Sequence, residues 1–99
     1  MYSTLPRNAT GDLYRLSGVF EIENVTGSAI TGKTNDGLFD IQAVIGRRPM
    51  PAGIQGGRIS LLRVYDSAGP VVHYNGGWMV LPKPGLHRDL LDSIVKAVA

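Results

Sequence analysis

The spacing of apolar positions divides this chain into a long region of period two and a short final region of helical period. From Asp12 to Val25 the pattern alternates, with Tyr14, Leu16, Phe20 and Ile22 on one face. Arg15, Ser17, Glu21 and Glu23 take the other face, and Gly18 falls between them. Such alternation predicts a half-buried strand, with the glycine at a bend or bulge. Next, Ala29–Lys33 and Leu38–Ile45 flank Asn35-Asp36-Gly37, a turn-forming triplet. Phe39, Ile41, Ala43 and Ile45 share a face opposite Asp40 and Gln42, so this region reads as a β-hairpin.

The following stretch, 46–57, holds two prolines and four glycines and reads as a long, mobile loop. Arg58–Asp66 is apolar on both faces (Ile59, Leu61, Leu62, Val64, Tyr65), as a central strand would be. Val71–Tyr74 and Trp78–Leu81 follow, set off by the turns Ser67-Ala68-Gly69 and Asn75-Gly76-Gly77. Trp78, beside Met79, Val80 and Leu81, is expected in the core. After Pro82-Lys83-Pro84-Gly85 the period changes. Leu86, Leu90, Leu91, Ile94, Val95 and Val98 recur at helical spacing, with Asp89 near the start and Lys96 near the end to match the helix dipole.

These elements predict an α+β fold: a curved antiparallel β-sheet or small barrel of about five to six strands in meander order, with one C-terminal amphipathic helix. The chain reads as a single domain, 1–99, with an N-terminal tail at 1–11, the Gly/Pro-rich basic loop at 46–57 and the helix at 86–98. The helix face made by Leu90, Leu91, Ile94 and Val98 must cover something, either the sheet or the same helix of a second chain.

Composition narrows the picture. The chain has 99 residues, 43% of them hydrophobic and 18% charged, which fits one globular domain. It has no cysteine, which removes disulfides, thiolate catalysis and zinc-thiolate sites together. Met1-Tyr2-Ser3-Thr4-Leu5-Pro6-Arg7 lacks the layout of a signal peptide, and no apolar run approaches the ~20 residues that span a bilayer. The expected location is therefore cytoplasmic, with no membrane partner, and the Asn-x-Ser/Thr matches at Asn8 and Asn24 read as chance. Net charge is +2 and the pI about 9.2, mildly basic. The arginines are unevenly placed, since Arg47, Arg48, Arg58 and Arg63 lie in a stretch from Ala43 to Tyr65 that has no acid.

Residues 27–34, Gly-Ser-Ala-Ile-Thr-Gly-Lys-Thr, fit the phosphate-binding pattern G-x-x-x-x-G-K-[ST]. That chemistry needs a helix directly after the loop, whose N-terminal amides hold the phosphates. Here Asn35-Asp36-Gly37 follows instead and starts a turn, so the match reads as coincidence. Glu21 and Glu23 share a strand face and read as a solvated pair. The two histidines, His73 and His87, have no ligand spacing, since the position four after His87 is Leu91. Asp66-Ser67-Ala68-Gly69 lacks the first glycine of a nucleophile elbow. No catalytic residue, metal site or cofactor is expected.

What remains is binding. The first expectation is a homo-oligomer or protein partner, because strand edges and an apolar helix favour association with another chain. The second is single-stranded nucleic acid, with Arg47, Arg48, Arg58 and Lys33 on phosphates and Tyr65, Tyr74 or Trp78 stacking on bases. The third is a small ligand between sheet and helix. The order of elements over 58–98, a meander closed by a helix, resembles the layout of a family of single-strand-binding coactivators. That resemblance implies a dimer and carries no specific motif with it.

Overall fold

In the computed structural model, which describes residues 7–99, α1 (Arg7–Leu16) leads into six strands and a second helix. The strands are β1 (Glu21–Thr26), β2 (Ala29–Lys33), β3 (Asp40–Ile45), β4 (Ile59–Asp66), β5 (Gly69–Asn75) and β6 (Trp78–Val80), and α2 (Leu86–Ala97) closes the chain. The strands pair in sequence order, each antiparallel to the next, into one open six-stranded meander. The sheet does not close into a barrel, so β1 and β6 are its two edges among the described residues. The α+β architecture is that expected from the sequence, with β3 and β4 at the centre.

Local chemistry places the turns. Gly27 takes φ 61 in the two-residue turn between Thr26 and Ala29, where a side chain would be strained. Between β2 and β3, the Gly37 amide donates to Thr34 O at 2.8 Å. The Thr34 hydroxyl donates to the Asp36 carboxylate at 2.6 Å, and the Leu38 amide does so at 3.0 Å. Those two bonds hold the Asp36 carboxyl below the ordinary aspartate value of 3.8.

Alternation along the strands sends Ile30, Ile41, Ala43, Leu62, Val64, Val72 and Tyr74 to one face, where all are buried. Both helices lie on that face. Leu91, Ile94 and Val98 of the C-terminal segment join Leu16 and Phe20 in the same core cluster. The helices are tied to each other where Arg15 Nε donates to Ala97 O at 2.8 Å. The Cα envelope is only 18 Å thick, the depth of one helical layer on one sheet. The opposite face is left open, and its central row runs Thr31, Gln42, Arg63, His73 across four neighbouring strands.

Several sequence expectations need correction. The strand expected over 12–25 is a strand only from Glu21. Residues 7–16 form α1, and Ser17–Phe20 turn the chain, with the Phe20 amide donating to Leu16 O at 3.0 Å. The alternation misled because Leu16 and Phe20 are four apart as well as two steps of two, which fits a helix face and the turn after it. Part of the expected tail 1–11 lies outside the described residues, and 7–11 belong to α1.

The 46–57 segment is pinned at both ends and in the middle. Gly46 N donates to Arg58 O at 2.8 Å, Met50 N to Gly57 O at 3.0 Å, and the Tyr74 hydroxyl to Ala52 O at 2.7 Å. A turn of 3₁₀ helix at Ile54–Gly56 buries Ile54 in the core. A side chain on Gly53 would meet Gly57 O at 2.0 Å. Ile54, a lone large apolar residue among glycines, was the sequence signal that this loop has its own anchor.

Candidate functional site

The phosphate-loop-like segment occupies a turn and strand β2. Lys33 pairs with Asp40 of β3, and a turn follows where a phosphate site needs a helix. The Thr34 hydroxyl is committed to Asp36 and accepts from the Phe39 amide at 3.2 Å. Gly32 is explained by packing. A Cβ there would lie 2.1 Å from Glu21 O and 2.8 Å from the Phe20 ring, so the aromatic side chain rests on bare backbone. Lys33 Nζ lies 3.7 Å from a Glu23 carboxylate oxygen, with both side chains about half exposed.

The four basic residues expected to act together are not brought together. A meander puts successive turns at opposite ends of the sheet. Lys33 ends β2 at one end, whereas Arg47 and Arg48 follow β3 at the other, roughly 17 Å away along the strand.

Arg58 is a structural cation. Its Nε donates to Gly46 O at 2.9 Å, and Nη1 donates to Val98 O and to Asp12 Oδ1, both at 3.1 Å. Nη2 completes a bidentate pair with Asp12 Oδ2. The pair is well buried, with 18% of the Arg58 side chain and 9% of the Asp12 side chain exposed. One guanidinium therefore joins α1, the 46–58 loop and the end of α2. Asp12 was not singled out from the sequence, because nothing local marks an acid whose partner is 46 residues away.

Arg47 and Arg48 are exposed, and among the described residues no acid lies within ion-pair distance of either. The loop that carries them is fastened by the hydrogen bonds from Gly46, Met50 and the Tyr74 hydroxyl. The helix residues proposed as core or dimer face divide in the same way: Leu91, Ile94 and Val98 are buried in the monomer core, and Leu90 is half-buried against it.

Exposed apolar surface gathers elsewhere. Among the large hydrophobic residues with substantial exposure are Trp78 at 40%, Met79 at 66%, Leu81 at 67% and Leu86 at 61%. Trp78 and Met79 lie in β6, Leu81 directly follows it, and Leu86 is the first residue of α2. The expectation that Trp78 is core is met only on one side. Its ring stacks edge-on against Tyr74 at 5.0 Å, and among the described residues no further strand lies on its outer side, β6 being the last.

The other edge differs: β1 carries Glu21, Glu23, Asn24 and Thr26, all exposed. Beyond Val80 the chain leaves the sheet while β5 continues, so among the described residues no strand pairs with 69–72 on that side. A shallow cleft of about 240 Å³ opens there, lined by Pro70, Val71, Val80, Leu81, Lys83 and His87. Among the described residues no group of three or more His, Asp or Glu could hold a metal ion, and no helix is long and apolar enough to cross a membrane.

Fold and surface together define a two-layer α+β domain: an open meander, two helices on one face, and an apolar edge left uncovered by the described residues. The chain belongs to the family described as a domain of unknown function, DUF7678, which matches residues 28–99. The match spans β2 through α2, so α1, β1 and with them Asp12 and Phe20 fall outside it. No curated protein and no solved structure matches the chain.

Proposed function

We infer that this domain is a non-catalytic interaction module that self-associates, with a cytoplasmic setting suggested by composition alone. The observation that carries this reading is the exposed apolar surface of Trp78, Met79 and Leu81, on or next to an edge strand that pairs with no other strand on its outer side among the described residues. Sheet edges are normally blunted by charge, and β1 is. An edge that keeps large apolar side chains and no charge has the character of an interface. Sedimentation velocity over a wide concentration range tests this. A dimer is expected, and a monomer at every concentration rejects the reading.

A second reading, single-stranded nucleic acid, rests on Arg47 and Arg48. They are exposed on the same loop that the Tyr74 hydroxyl fastens at Ala52, and Tyr74 also supports the half-exposed Trp78 ring. Two exposed cations on a loop fastened to the tyrosine that supports an aromatic edge suit phosphates and stacked bases. Under this reading Arg48→Ala weakens oligonucleotide binding by a similar factor for every sequence. It also reduces the slope of log affinity against log salt by about one. An unchanged slope removes these arginines from consideration.

A further inference from the structure

We propose that the self-association surface is β6 itself, paired antiparallel with β6 of a second copy about a two-fold axis near Met79, so that two six-stranded sheets join into one. The proposal rests on the self-association reading above and adds the surface and its geometry.

Three observations select this arrangement. First, charge decides between the edges. Trp78-Met79-Val80-Leu81-Pro82 carries none, whereas two β1 edges would set Glu21 and Glu23 against their own copies. Like meets like without repulsion only on β6. Second, symmetry decides the mode. Two copies of one strand related by a two-fold are necessarily antiparallel and use up both edges, so assembly stops at the dimer. Joining β6 to β1 would leave a free edge at each end and propagate. Third, the extent of β6 fits. The strand is short, bounded by Gly77 and Pro82, and a proline donates no ladder hydrogen bond. Pairing is therefore confined to a few residues centred on Met79. That register places Val80 opposite Trp78 of the second copy.

The backbone bonds give direction, and the apolar side chains give most of the association energy. Met79 and Leu81 are exposed in the monomer and would be covered in the dimer.

The chain has no cysteine, which gives a direct test. Met79→Cys puts a single thiol at the proposed axis and should yield a disulfide-linked dimer under mild oxidation. Met79→Lys, at a position 66% exposed in the monomer, should convert the dimer to a monomer that keeps the native far-UV circular dichroism and whose melting temperature no longer depends on protein concentration. Leu61→Lys, on the open sheet face, should leave the dimer intact. A wild-type dimer that survives Met79→Lys, or that fails to cross-link through residue 79, overturns the β6 assignment and moves self-association to another surface. A wild-type protein that stays monomeric removes the interaction reading along with it. If Met79→Lys fails to fold, the cysteine cross-link decides alone.

Discussion

Gly32→Ala should destabilise the domain by about 3 kcal/mol or more, near the upper end for an overpacked site. Overpacking is usually relieved by side-chain movement. Here the nearest atom to the new methyl is the Glu21 carbonyl oxygen at 2.1 Å, which belongs to the paired backbone of β1. The next is the buried Phe20 ring at 2.8 Å. Relief requires either β1 to leave β2 or Phe20 to leave the core. For a domain of this size the melting temperature should fall by roughly 12–24 °C.

Lys33→Ala, one residue along, should change stability by less than about 0.5 kcal/mol, because its ion pair with Glu23 is half exposed. The contrast also tests the phosphate-loop reading, which assigns weight to Lys33 and makes the loss conditional on nucleotide. A Gly32→Ala protein that melts within a degree or two of wild type would show that the close approach of Phe20 does not hold in solution.

Asp12→Ala should cost about 2–4 kcal/mol. Removing one member of a buried ion pair strands the other charge, at a typical cost of about 3–5 kcal/mol. Some relief comes from the Gly46 and Val98 carbonyls, which still accept from Arg58, and from the 18% of that side chain that water reaches. Arg58→Ala should cost a comparable amount, since it leaves the carboxylate of Asp12 without its main donors and releases the loop base and the end of α2. Replacing both residues together with Leu and Met should recover a large part of either loss, as apolar replacement of a buried pair often does. Chemical denaturation of the two single variants and the double variant measures the coupling. Losses below about 0.5 kcal/mol for each single variant would mean that α1 is not fastened as described. Arg58 lies inside the stretch that matches the family and Asp12 outside it. The cycle therefore also measures how strongly the N-terminal helix is bound to the family core.

Short-range chemistry was enough for much of the fold. Asn35-Asp36-Gly37 between two alternating segments specified the β2–β3 hairpin, because its turn bonds are made within five residues. The helical period after Gly85 specified α2, and apolar positions on both faces of Arg58–Asp66 placed β4 in the middle of the sheet. The missing helix after Lys33 dismissed the phosphate-loop match by sequence logic alone. In each case the residues that decide the element lie within it or next to it.

Tertiary structure decided the rest, for one physical reason: the deciding partner is far away in sequence. A run with apolar residues at 16, 20 and 22 suits either a strand or a helix that turns into a strand. The choice at 7–16 goes with Asp12 reaching Arg58, and Arg15 reaching Ala97, across 46 and 82 residues. The same contact turns Arg58 from a free cation into a fastener. The alternation of turns along a meander separates Lys33 from Arg47 and Arg48, which no spacing in the sequence reveals. Trp78 reads as core because it is apolar and so are its neighbours Met79 and Leu81. They are exposed because β6 is the last strand, and only strand order can show which strand is last. Sequence by itself determined which elements form and which face of each is apolar. Only the assembled sheet determined which charges are satisfied and which apolar edge remains uncovered.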